Sequence, residues 1–169
     1  MNIRHLSVIF LLFLHFTCFS QTKSAWDKWD WLTGEWQGEG SGIPGEGSGT
    51  FSFSFDLDSN ILVRRSHSDY SAGDFKRRII RDDMMIIYLT NGQPDNAIFF
   101  DNEGHTIKYT ITYNDNSIVL SSEPDPKSPA FRLTYEKTDS SDVNTRFEMS
   151  RDGINYISYV EGISKKIRK

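Results

Sequence analysis

The chain has 169 residues, of which 37% are hydrophobic, 25% charged and 14% aromatic, and its formal net charge is -4. That length supports one domain rather than two, and that balance of apolar and charged residues excludes wholesale disorder. An acidic chain without a basic block is a poor partner for the phosphate backbone, so nucleic-acid binding is excluded.

Residues 1–20 read as a secretory signal peptide. Arg4 gives the positive start, Val8 to Leu14 the apolar stretch, and Cys18 and Ser20 the small residues before a cut at Gln21. Export to the periplasm or beyond is the expected localisation, with a lipid anchor through Cys18 as the alternative. The apolar run is too short for a transmembrane segment, and no later stretch is apolar enough to span a bilayer. Cut before Gln21, the chain has no cysteine, which excludes disulfides and thiol chemistry. Residues 21–169 then form a single domain.

That domain holds four Ala and six Leu against fourteen Ile and nineteen aromatics, a composition that favours strands. One short helix is expected first. Ser24 caps it, Asp27 completes a capping box, Trp26, Trp29 and Leu32 recur at three-residue spacing, and Gly34 stops it. Nine turn clusters follow: Pro44-Gly45, Asp58-Ser59-Asn60, Ala72-Gly73-Asp74, Asn91-Gly92, Asn102-Glu103-Gly104, Asn114-Asp115-Asn116, residues 124–129, residues 138–142 and Arg151-Asp152-Gly153. They separate ten segments, many with period-two alternation. Phe51, Phe53, Phe55 and Leu57 share one face, as do Ile107, Tyr109, Ile111 and Tyr113, and Phe131, Leu133 and Tyr135. The stretch from Phe75 to Thr90 is long for one strand, and Arg81-Asp82-Asp83 marks a bend or bulge in it.

Short connections between strands imply an antiparallel meander. Left open, such a sheet exposes two edges; closure removes both. The fold is therefore expected to be all-β, a ten-stranded antiparallel up-and-down barrel with one short N-terminal helix. Ten strands enclose more space than side chains alone can nearly fill, so a cavity is expected.

Several local patterns carry no chemistry. Gly40 to Gly45 spells G-x-G-x-x-G, but lacks the preceding buried strand and following helix that a phosphate site needs. Asp56, Asp58 and Asn60 imitate a calcium loop, but Ile61 replaces its glycine and His67 its glutamate. Asp101 to His105 offers oxygens and an imidazole, and reads as a turn with Gly104 in the left-handed region. Two histidines without cysteine are thin for zinc, so no metal is expected.

The sequence Trp31-Leu32-Thr33-Gly34-Glu35-Trp36-Gln37-Gly38-Glu39-Gly40 resembles the G-x-W-x-G-x-G opening of nitrobindin-like proteins, lipocalin-like members of the calycin superfamily. The match lies at Gly34, Trp36, Gly38 and Gly40. The resemblance implies a barrel closed at one end by the N-terminal helix, with Trp36 packed there. It also implies haem held by a histidine near the end of the last strand. Residues 154–169 contain no histidine, so haem is disfavoured and no cofactor is expected.

Arg64 and Arg65 lie mid-strand, so one points inward and the other outward. A three-residue loop at 58–60 sends Val63, Arg65 and His67 inward; a two-residue loop at 59–60 sends Leu62, Arg64 and Ser66 inward. The first is adopted. The inward guanidinium then needs Asp83 or an anionic ligand group as its partner. The expected function is binding of a small apolar or amphipathic molecule, including an anionic one. Trp36, Phe53, Met85 and Tyr109 would meet its apolar part, and Arg65, His67, Asp83 and His105 its polar part. The alternative is an enzyme on the same barrel, with His67 or His105 as general base assisted by Asp83 or Tyr109.

Overall fold

The computed structural model describes residues 24–71, 78–123 and 125–167. Residues 1–20, the Ala72-Gly73-Asp74 turn and Pro124 lie outside the described residues. Ten strands follow one another: β1 (Gly34–Gly42), β2 (Gly47–Asp56), β3 (Ile61–Tyr70), β4 (Ile79–Thr90), β5 (Gln93–Asp101), β6 (Thr106–Tyr113), β7 (Ser117–Ser122), β8 (Ala130–Lys137), β9 (Val143–Ser150) and β10 (Ile157–Lys166). Each pairs antiparallel with the next, and β1 pairs with β10, so the sheet closes into a barrel. No helix among the described residues is long and apolar enough to cross a membrane.

The expected helix is shorter than its spacing suggested. Residues 24–33 form successive turns that end in a 3-10 turn, Asp30–Leu32. The N–H groups of Asp27, Trp29, Leu32 and Thr33 all bond to the carbonyl three residues back. A spacing of three eclipses side chains in a 3-10 geometry, whereas an α-helix would drift from it. Trp26, Trp29 and Leu32 therefore point together into the barrel end and are buried there. Three buried indole N–H groups find acceptors: Trp26 donates to the Ser59 carbonyl at 2.8 Å, Trp29 to the Tyr113 hydroxyl at 2.9 Å, and Trp36 to the Leu32 carbonyl at 2.8 Å. Satisfied donors let these large rings bury at no polar cost.

Arg81-Asp82-Asp83 is not a bend. It pairs continuously with β3, and the irregularity in β4 falls later, between Tyr88 and Thr90. Alternation alone accounts for the charged triplet: Arg81 and Asp83 face inward and Asp82 outward.

Glycine lets the closing strands approach closely. At the β1–β10 seam Gly40 lies opposite Gly162. A Cβ on Gly162 would sit 2.6 Å from the Glu39 carbonyl oxygen, and one on Gly40 would sit 2.7 Å from that of Glu161. Neither position accepts a side chain without moving backbone. Gly162→Ala is expected to lower stability by about 1–3 kcal/mol, the cost of overpacking a tight site. Urea denaturation measures it, and an unchanged midpoint would show that the seam has slack.

Candidate functional site

The barrel interior has two zones. The end plugged by the 3-10 turn is filled by Trp29, Leu32, Trp36, Phe53, Leu62, Met85 and Ile87, with Leu120, Tyr135 and Val143. Toward the other end the interior opens into a cavity of about 750 Å³, within the usual range for small-molecule sites. One wall of this cavity is nearly bare backbone: Gly38 and Gly40 from β1, Gly47 and Gly49 from β2, and Gly162 from β10. The glycines that permit the tight seam thus also leave the space empty.

The β2–β3 loop settles which arginine enters. Asp56 pairs with Ile61, leaving the four residues 57–60 in the loop. Leu57, Asp58 and Ser59 take positive φ to make that turn. An even loop keeps the parity of the two-residue alternative, so Phe53 pairs with Arg64 and both face inward. Arg64 is buried; Arg65 is exposed. The expectation for Arg65 and His67 is therefore corrected: both lie on the outer face, where His67 Nδ1 is 2.8 Å from Asp82 Oδ1. A general base at His67 would face solvent, not the cavity.

Arg64 forms an ion pair with Asp83 through Nη1 and Oδ1, and both side chains are largely withdrawn from water. Burial alone would lower the Arg64 pKa, but Asp83, together with Tyr135 and Tyr109, more than compensates and holds the guanidinium above its ordinary value. Burial pushes the Asp83 carboxyl above the ordinary carboxylate range, while Arg64 and the Ser66 hydroxyl limit the rise. The Arg64 guanidinium carbon lies 5.7 Å from the Phe51 ring centre and 6.0 Å from that of Tyr135. Burial pushes the Tyr135 hydroxyl up to about 12 and raises Tyr109 as well, so both stay protonated.

A second polar group stands at the mouth. Asp101 Oδ1 accepts the backbone N–H groups of Glu103 at 3.0 Å and His105 at 2.9 Å, and Oδ2 lies 2.8 Å from His105 Nδ1. Burial opposes ionisation of Asp101, but these hydrogen bonds outweigh it and hold its carboxyl below the ordinary value. Gly104 has φ +89°, the left-handed turn position expected for it. Asp101, Glu103 and His105 bring their donor atoms within 4.8 Å of one another. Arg81 reaches Glu103 at 3.3 Å, which supplies positive charge to the cluster from the protein itself. The Arg81 guanidinium also lies 5.6 Å from the Tyr159 ring centre. Tyr159 is turned inward by a bulge in β10, between Ser158 and Val160.

Of the residues expected at the site, Asp83, Tyr109 and His105 line the cavity. Trp36, Phe53 and Met85 are buried in the plugged end beneath it; Trp36 stacks on Phe51 at 6.0 Å. Arg64 and Ser66, the inward residues of the register not adopted, also line the cavity, as do Ser68, Arg81, Phe147 and Tyr159, which were not expected at the site. Their signal lies in pairing across strands, which no single segment carries.

Arg64→Met is expected to strand the Asp83 carboxylate and lower stability by about 3–5 kcal/mol, and Asp83→Leu in the same chain to recover much of it. Burial already holds Asp83 above 3.8. The Arg64→Met loss therefore grows as pH rises through the folded value and is smallest near pH 4, where the carboxyl takes up a proton. Melting midpoints of the three proteins at about pH 4 and 7 check both parts.

No family model and no curated protein matches the sequence. Solved structures do match, and two of them follow. The crystal structure of Rv2717c from M. tuberculosis matches with a TM-score of 0.60 at 14% identity, over 86% of this chain and 99% of that one. Secretory abundant heat soluble protein 4 from Ramazzottius varieornatus matches with a TM-score of 0.47 at 13% identity, over 81% and 95%. At such identity the likeness to the mycobacterial protein is one of fold, and it extends over nearly all of that protein.

Proposed function

We propose that this protein is a binding barrel that holds one small apolar or amphipathic molecule between its glycine wall and its aromatic side. The observation that carries this reading is the cavity itself. A barrel whose interior served only stability would fill it, as the plugged end is filled, because unfilled volume forfeits packing energy. Here one wall lacks side chains, while Phe99, Phe131 and Phe147 face the space. The motif at Gly34, Trp36, Gly38 and Gly40 supports placing the chain among nitrobindin-like, calycin-type barrels. The leader at 1–20 supports export, as a soluble protein or through a lipid on Cys18.

Nile red, an uncharged dye that brightens in apolar surroundings, tests the reading. It is expected to bind saturably at one site per chain. Thr145→Trp, which projects an indole from β9 into the cavity, is expected to abolish the signal while leaving the far-ultraviolet dichroism unchanged. Dye binding that persists in that variant would remove the cavity from the function.

Haem does not fit these residues. β10 carries no histidine. His105 stands at the rim, hydrogen-bonded to Asp101, and Tyr159, the remaining ligand type in β10 facing the cavity, has Arg81 over its ring. Reconstitution with haemin is expected to give no sharp, stoichiometric Soret band. A one-to-one complex whose band moves in Tyr159→Phe or His105→Ala would overturn this.

A further inference from the structure

The cavity has a polar side and an apolar side, and the order of the strands sets them opposite each other. Around the closed ring, β3 and β8 are five strands apart in either direction, and so are β4 and β9. From β3 and β4 come Arg64, Ser66, Ser68, Arg81 and Asp83, with Tyr70; from β8 and β9 come Phe131, Leu133, Phe147 and Met149, with Thr145 the one hydroxyl among them. The division therefore runs across the width of the cavity, not from its floor to its mouth. A ligand with a polar head and an apolar tail along its length would mismatch one of these walls throughout.

The polar side offers hydrogen bonds rather than a free cation. Arg64 is paired with Asp83 and Arg81 with Glu103, while Asp101 is hydrogen-bonded to His105, so two guanidiniums stand among three carboxylates. Arg64, Ser66, Ser68 and Arg81 bring guanidinium and hydroxyl groups to this side, and such groups ask for oxygen partners. An anionic ligand would find both guanidiniums already paired and would add negative charge beside these carboxylates.

Resting on the binding function proposed above, we infer that the ligand is an uncharged molecule that is amphipathic across its width. Hydroxyl or carbonyl oxygens line one face, and the opposite face is hydrocarbon. This departs from the anionic head-and-tail ligand that the inward arginine first implied.

Displacement of Nile red by four compounds tests it. Methyl cholate is an uncharged steroid ester with its hydroxyls on one face. Methyl cholanate has the same skeleton without hydroxyls, cholate adds a charge, and hexadecanol is uncharged but amphipathic end to end. Methyl cholate is expected to compete at least about tenfold more tightly than each of the others. Equal competition by hexadecanol or methyl cholanate would overturn the facial preference, and equal competition by cholate would overturn the neutral one. Displacement by none of the four, with Nile red bound, would overturn the inference; no Nile red binding at all would instead sink the binding function beneath it. Ser66→Ala with Ser68→Ala is expected to weaken methyl cholate by about 2- to 10-fold for each hydrogen bond the serines make to it, with methyl cholanate unaffected and Nile red retained as the check on folding. Unchanged methyl cholate affinity in that variant would also overturn the inference.

Discussion

Barrel closure depends on the approach of β10 to β1, and that approach depends on glycine. Gly40 and Gly162 face each other so closely that either Cβ would press on the opposite backbone. The ladder continues beyond the strands, with Ile43 N–H bonding to the Tyr159 carbonyl and Ile167 N–H to that of Glu35, both at 2.9 Å. Closing the seam removes the two edges that a ten-stranded meander would otherwise present to solvent and to other chains. The same absence of side chains leaves an inner wall with nothing to project into the barrel. Closure and cavity therefore have one cause. A sequence that filled this wall with valine or leucine would gain packing but lose the close approach, and with it the pairing that closes the ring.

Within that ring the Arg64–Asp83 pair is the costliest feature. Two charges withdrawn from water each lose hydration worth several kcal/mol, and their mutual attraction roughly offsets it. An apolar pair of similar size would serve stability as well. The pair instead keeps polar atoms at the floor of the cavity. Beneath it the Trp29 indole and Tyr113 hydroxyl complete a chain of hydrogen bonds that ends on the Pro94 carbonyl. The three indoles of the plugged end thus have acceptors, although the buried Tyr135 hydroxyl there has none among the described residues.

Much of the architecture was legible because strands and turns are local. Period-two faces and turn clusters give the number of strands, and short connections give their antiparallel order. The N-terminal turns were half legible: the three-residue spacing of Trp26, Trp29 and Leu32 signals a shared face, but it is the repeat of a 3-10 turn and not of an α-helix. The inward arginine was not legible. It depends on whether the β2–β3 loop holds an even or odd number of residues, and Leu57 belongs to that loop although it continues the alternation of Phe51, Phe53 and Phe55. One residue of error there exchanged Arg64 for Arg65 and moved His67 to the wrong face. Arg81 and Asp83 were hidden for a related reason. A charged triplet in a strand reads as a bend unless its inward members have partners, and those partners stand on β3, on β10 and in the turn after β5.

The segregation of the interior follows from that same pairing. Once Phe53 fixes Arg64 inward, the register carries Met85 opposite it on β4, and further along Ser66 lies opposite Asp83 and Ser68 opposite Arg81. Polar residues on one strand are thereby matched to polar residues on the next, and the cost of burying them is shared between neighbours. Across the barrel, Leu133 pairs with Phe147 and Phe131 with Met149, which matches apolar residues in the same way. Neighbouring strands agree in character because unmatched burial is expensive, while opposite strands are under no such constraint. A two-sided cavity is the form this takes when a closed sheet must contain both kinds of surface.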